Sequence, residues 1–219
     1  MMRTSHIRNL LTRAWLEKDF VGTTVEVIGA TFVADELTIF GERNEAYVNR
    51  ELRWYDSQSL NLDAFPGAAP AIWRACADPD GNVNSNYGWC IHSPSNGSQY
   101  ANTLLELQRN PNSRRAEMIY TRPSMHVDAT KNGMQDFICT DAVQYFIRGE
   151  RLIAHVRMRS NDACIGYRND LAWQMRVHRQ LAGDLKVSIG DIIWTAGSIH
   201  VYERNYASIQ RYVETGEYQ

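Results

Sequence analysis

The sequence predicts an α+β fold, a mainly mixed β-sheet packed with helices in one domain over residues 1–219. Two observations carry this. Runs of β-branched and aromatic residues are interspersed with helical stretches, without the regular alternation that a parallel α/β sheet requires. Hydrophobic residues make up 44% of the chain and charged residues 22%, enough for a full core, and no repeat, low-complexity tract or linker divides it.

The elements follow in order. Ile7, Leu10, Leu11, Ala14 and Trp15 share one helical stripe, with Ser5 placed to cap it. Residues 24–40 are β-branched and aromatic with a break at Asp35-Glu36, which predicts two strands. A second helix is predicted over 44–57, before the loop of Pro66-Gly67 and Pro70. A third runs from Gln99 to Arg109 and is stopped by Asn110-Pro111. Residues 136–159 read as a hairpin, with strands in FICTDAVQYFIR and RLIAHVRMRS and a turn near Gly149-Glu150. A helix over 169–182 points Leu171, Met175, His178 and Leu181 inward or nearly so. Two short strands, 192–195 and 198–202, precede a last helix.

Charge and cysteine usage narrow the function classes. A formal charge of -2 gives no basic footprint for a nucleic-acid duplex, although local arginines suit a small anion. No apolar stretch is long enough to span a bilayer, and Arg3, Arg8 and Arg13 are followed by no signal-type apolar segment. Cys76, Cys90, Cys139 and Cys164 form neither a C-x-x-C pair nor a dense framework, which fits a reducing cytoplasm. Cys90 and His92 are too few and too loosely placed for a metal site, so no metal is expected.

Taken singly, the reactive residue types are ambiguous. Cys139, in an apolar run, alone reads as a small core hydrophobe. Glu51 has Tyr47, Val48, Leu52 and Tyr55 at helical intervals, which places a carboxylate on an apolar face, where burial would raise its pKa toward acid–base use. Arg114-Arg115 as a dipeptide is usually a solvated pair. His200 and Tyr202 alternate along a strand and so share a face.

Together the residues are specific. Cys139 and Gln144 make C-x4-Q. Arg159, Ser160, Asp162, Gly166 and position 170 follow the frame R-S-x-D-x3-G-x3-N, and His200 and Tyr202 make H-x-Y. Upstream stand Glu51-Leu52 before Trp54-Tyr55, Ile72-Trp73, Tyr87-Gly88 and Ser113-Arg114-Arg115. In these motifs the chain resembles the thymidylate synthase family over most of its length. Longer strings (EVIGATFVADE, VNSNYGW, NPNSRRAEMIYTRPSM, MRSND and YRNDLAWQ) are similar to the branch that hydroxymethylates deoxycytidylate in T-even phages.

The resemblance implies a catalytic domain whose sheet packs back to back with its copy in a symmetric homodimer. Cys139 is then the nucleophile on C6 of dCMP, and 5,10-methylenetetrahydrofolate is the one-carbon donor. Glu51 organises the proton relay and the attacking water, and Tyr87 aids removal of the C5 proton. Arg159 and Ser160 hold the phosphate with Arg114 and Arg115 of the neighbouring subunit, and Gln144 also contacts the nucleotide. His200 and Tyr202 bond the sugar hydroxyl. Asp162, Gly166 and Trp73 border the folate. Asp170, where most of the family has Asn, reads cytosine.

Several positions depart from the family pattern. Thr140 replaces the usual His after the nucleophile, and Phe137-Ile138 replace Pro-Pro. The loop at 33–36 lacks the Arg that helps grip phosphate, and the lid after the last helix is expected to be short or differently built. Three chemistries stay open: dCMP 5-hydroxymethylation, dCMP C5-methylation with folate as hydride donor, and CMP 5-hydroxymethylation. A non-catalytic nucleotide-binding protein would lack the nucleophile or the phosphate Arg, and both are present. The setting expected is the cytoplasm of a phage-infected bacterium.

Overall fold

In a computed structural model that describes residues 1–218, the elements in chain order are β1 (Met2–Arg3), α1 (Thr4–Leu16), β2 (Thr24–Val33), α2 (Glu45–Ser57), α3 (Ala71–Cys76), α4 (Tyr87–His92) and α5 (Gln99–Arg109). There follow β3 (Glu117–Ile119), α6 (Met125–Asp128), β4 (Thr140–Arg148), β5 (Arg151–Asp162), α7 (Gly166–Leu185), β6 (Ser188–Tyr202) and α8 (Tyr206–Thr215). The chain forms two compact units, Met1–Arg43 with the residues from Phe146 onward, and Asn44–Tyr145.

The first unit contains a mixed sheet in the order β1-β2-β6-β5. Its β1–β2 and β5–β6 pairings are parallel and its β2–β6 pairing is antiparallel, so the α+β expectation with a mixed sheet holds. Helices α1 and α7 pack on this sheet. Between them lie Ile7, Leu11, Phe32, Val156, Tyr167 and Trp194, all fully buried. The Tyr167 and Trp194 rings meet edge to face at 5.3 Å, a geometry that adds stabilisation beyond the area buried.

In the second unit, α4 packs against α2 and α5, and β3 pairs antiparallel with β4 from Glu117↔Gln144 to Ile119↔Ala142. Asn44 caps α2 by accepting the Tyr47 N–H at 2.9 Å, as expected of Asn at that position. Asn86 caps α4 in the same way through the Trp89 N–H, also at 2.9 Å. Its Nδ2 donates to the carbonyls of Trp54 and Ser59, which ties the start of α4 to the end of α2.

Four sequence expectations are corrected. Ser5 lies inside α1; Arg3 stands at the cap, and Asp35 Oδ1 takes the Thr4 N–H at 3.0 Å. Residues 24–40 form one strand rather than two. After Val33 the chain is stapled to α1 by side chains, because the buried Arg8 donates to the Ile39 carbonyl at 2.7 Å and pairs with Glu36 at 2.6 Å. The two strands read at 192–195 and 198–202 are the single strand β6, in which Gly197 is no break. A Cβ at Gly197 would lie 2.7 Å from the Arg159 carbonyl oxygen, so glycine here permits the close approach of β5. Finally, Cys139 precedes β4, which begins at Thr140. The Gly149-Glu150 turn is as read, and both residues take the positive φ (56° and 61°) that a tight two-residue turn needs.

Gly88 fixes how closely α4 approaches α2, since a Cβ there would sit 1.8 Å from the Tyr55 carbonyl oxygen and 2.6 Å from its carbon. No rotamer change relieves a clash with backbone. Gly88→Ala is therefore expected to cost at least about 3 kcal/mol of stability, read from urea unfolding midpoints. A loss under about 0.5 kcal/mol, the range of ordinary surface substitutions, would contradict this packing.

Candidate active site

In the second unit, Tyr47 and Glu51 stand one helical turn apart on α2, so their side chains meet. The Tyr47 hydroxyl donates to Glu51 Oε1 at 2.6 Å, and Trp73 Nε1 on α3 donates to the same oxygen at 3.1 Å and to the Tyr47 oxygen at 3.2 Å. Glu51 is only 5% exposed. Burial raises its pKa above the ordinary 4.5, and the bonds from Tyr47 and Trp73 oppose that rise. A carboxyl so held keeps its proton to higher pH than a free carboxyl, which suits it to proton exchange.

Tyr87 opens α4 and packs between Tyr55 (stacked, 5.2 Å) and Tyr120 (edge on, 5.3 Å). Cys139 is half-buried, its Sγ 3.9 Å from the Phe137 carbonyl oxygen. Burial pushes the Cys90 and Cys164 thiols up to about 12 and also raises that of Cys76. None of these three therefore supplies a ready thiolate, which leaves Cys139 as the candidate nucleophile. Three residues before it, the buried Asp136 accepts the backbone N–H groups of Asn84 and Ser85 (2.7 and 2.8 Å) and the Ser85 hydroxyl (2.6 Å). Asn84 Nδ2 returns a bond to the Asp136 carbonyl at 3.0 Å. The segment leading to Cys139 is thereby clamped to the segment leading to Tyr87.

Gln144 Nε2 donates to the Arg114 carbonyl at 2.7 Å, so the glutamine holds the arginine loop. Arg114 and Arg115 are exposed. Arg115 pairs with Glu106 at 3.2 Å, and the same carboxylate oxygen accepts from the Ser113 hydroxyl.

In the first unit, the parallel register of β5 and β6 sets Asp162 directly beside His200. Asp162 Oδ1 takes the Cys164 N–H at 2.8 Å and the Ile165 N–H at 3.3 Å, and its Oδ2 lies 3.7 Å from Arg204. The His200 and Tyr202 rings meet edge to face at 4.8 Å, as their shared face requires, and the Arg204 guanidinium lies over the Tyr202 ring at 4.2 Å. Burial lowers the pKa of His200 from 6.5, with Asp162 and Glu26 opposing, so the neutral imidazole dominates at neutral pH. Its Nδ1 is 3.3 Å from the Ser198 hydroxyl, which donates to Glu26 at 2.6 Å.

Arg159 is exposed and Ser160 half-buried near the end of β5. The loop at 33–36 carries no arginine; its Asp35 and Glu36 are paired with Arg3 and Arg8. Asp170 is the fifth residue of α7, which starts at Gly166 and not near 169, so it is no helix cap. It accepts from Asn161 Nδ2 at 2.8 Å.

Sequence reasoning singled out neither Tyr47, Asp136, Asn161 nor Arg204 as site residues. Only Tyr47 left a signal, being one helical turn before Glu51 on the same face. Among the described residues no group of three His, Cys, Asp or Glu side chains is placed to hold a metal ion, and no helix is long and apolar enough to cross a membrane.

The burial of Glu51 has a pH signature. A group whose pKa is raised by folding holds its proton more tightly when folded, so its contribution is full below the ordinary 4.5 and is lost as pH rises through the raised value. Wild type should thus lose stability relative to Glu51→Gln as pH rises from about 4 to about 9, measured by thermal melts across that range. Parallel curves would contradict a buried, pKa-raised Glu51.

Comparisons with known proteins show the family. The family model described as thymidylate synthase matches residues 37–219. The deoxycytidylate 5-hydroxymethyltransferase of Enterobacteria phage T4 is 49% identical over 99% of this chain and 93% of its own length, and that of phage T2 is equally similar. A thymidylate synthase of Francisella tularensis subsp. holarctica is 25% identical over 74% of this chain and 63% of its own. Among solved structures, the thermostable thymidylate synthase A of Bacillus subtilis shares the fold, with a TM-score of 0.72, 20% identity, and coverage of 97% of this chain and 84% of that one. With most of its length matched by the family model and such a relative along nearly all of it, this chain belongs to the thymidylate synthase family.

Proposed function

We propose that the chain is a deoxycytidylate 5-hydroxymethyltransferase, which makes 5-hydroxymethyl-dCMP for modified phage DNA in the cytoplasm of an infected bacterium. The observation that carries this reading is the near full-length similarity to the phage enzymes of that name. The whole chain acts as one catalytic domain.

The Cys139 thiolate adds to C6 of the pyrimidine, which makes C5 nucleophilic. Methylenetetrahydrofolate, when bound, supplies a carbon at the oxidation level of formaldehyde. The donor set suits it: Trp73 is a half-exposed indole next to the exposed Ile72, a flat apolar surface, and the Asp162 carboxylate is an acceptor for an aminopyrimidine edge, with Gly166 leaving room beside it. Tyr87 assists loss of the C5 proton, as the carbon–nitrogen bond to the folate breaks and an exocyclic methylene remains on C5. Glu51, held by Tyr47 and Trp73, orients the water whose oxygen adds to the exocyclic methylene on C5, after which Cys139 leaves C6.

Arg159 and Ser160 bind the phosphate, and Gln144 supports that anion site through the loop of Arg114 and Arg115. Those two arginines serve the neighbouring subunit of a homodimer. His200, neutral and oriented by Ser198, and Tyr202 bond the sugar hydroxyl.

Asp170 selects the base. The cytosine N4 amino group donates and N3 accepts, the reverse of uracil at both atoms. A carboxyl group accepts from the amino group and shares a proton with N3, whereas an amide suits uracil. Because a mismatched base leaves buried polar groups unpaired, discrimination is large. Wild type should favour dCMP over dUMP by at least about a hundredfold in kcat/KM, and Asp170→Asn should erase or reverse that preference. Steady-state assays of both nucleotides check this. A wild type that prefers dUMP, or an Asp170→Asn variant that keeps full dCMP preference, would contradict the assignment.

A further inference from the structure

Asn161 occupies the unspecified position in the R-S-x-D segment, yet it is the residue that holds Asp170. Its backbone is fixed on β5 by pairing with Ile199 of β6. Its side chain is buried, with 2% of the residue exposed, and Nδ2 donates to Asp170 Oδ2 at 2.8 Å. The amide oxygen Oδ1 is buried as well and has no hydrogen-bond partner among the described residues. Gly166 lies beside the pair, since a Cβ there would make ordinary contact with Asn161 Nδ2 at 3.4 Å and Asp170 Oδ2 at 3.6 Å.

These contacts have a chemical consequence. An amide N–H needs a lone pair, so Asn161 commits Oδ2 of Asp170 to accepting. Asn161 Oδ1 adds a buried acceptor next to this bond, while the Asn161 amide donor is already used. Such a place favours a ligand that brings an amino group and penalises one that brings a carbonyl oxygen, because a buried acceptor facing another acceptor stays unsatisfied.

We propose that Asn161 is a positioning residue for base selection: it fixes the orientation of Asp170, and with it the preference for an aminopyrimidine over an oxopyrimidine nucleotide. This rests on the reading that Asp170 faces the base.

The test is kcat/KM for dCMP and for dUMP in wild type, Asn161→Ala, Asn161→Leu, Asp170→Asn and the Asn161→Ala/Asp170→Asn pair, each first confirmed as folded by thermal melting. Loss of the amide should lower the dCMP-to-dUMP ratio about tenfold or more, with the KM for methylenetetrahydrofolate unchanged. In the Asp170→Asn background the same change should shift the ratio by no more than about twofold, because the two residues act as one unit. A merely structural role would depress both nucleotides equally and leave the ratio in place. If Asn161→Ala does not fold, Asn161→Leu, which fills the same volume without hydrogen bonds, carries the same expectation. An unchanged ratio in folded Asn161 variants, with Asp170→Asn altering it, overturns this inference alone. A ratio unmoved by Asp170→Asn overturns the reading of Asp170 and this inference with it.

Discussion

A carboxylate withdrawn from water costs several kcal/mol unless protein donors replace its hydration, and in each compact unit the shielded carboxylates are met by such donors. Glu51 is sheltered by the α2 helix and receives a phenol and an indole donor on one oxygen. Asp136 collects two backbone N–H groups and a hydroxyl, and Asp170 receives an amide. The outcomes differ because the donors differ. Two neutral side chains leave Glu51 with a raised pKa and a proton to exchange. At Asp136 burial also raises the pKa, but there the bonds join two chain segments. At Asp170 one donor is the Asn161 amide, held on the neighbouring strand.

The same constraint explains what the sequence made legible. Helix ends announced themselves where a local side chain or a proline sets them, so α2 and α5 lie where Asn44 and Asn110-Pro111 place them. The Gly149-Glu150 turn was equally local. Errors arose where a distant partner decides the conformation. Residues 34–40 are apolar enough for a strand, but Arg8 reaches across from α1 to claim their carbonyls and carboxylate. The division of 192–202 into two strands fails for the same reason, because the Arg159 backbone that approaches Gly197 is nonlocal.

At the site, Glu51 could be read from helical spacing because its apolar flank is encoded within two turns. The partners of Asp136 and Asp170 could not. Asp136 faces Asn84 and Ser85, some fifty residues earlier in the chain, and Asn161 meets Asp170 only because α7 folds back after the Asp162 turn. The motif residues name the chemistry, and the unmarked residues between them hold those groups in place.

The central claim is that water, and not hydride, completes the transfer to dCMP. Incubation of the protein with dCMP and methylenetetrahydrofolate, followed by mass spectrometry of the nucleotide and absorbance of the folate, tests it directly. The account predicts a nucleotide heavier by CH2O, with tetrahydrofolate released. A nucleotide heavier by CH2 alone, with dihydrofolate accumulating, would contradict it.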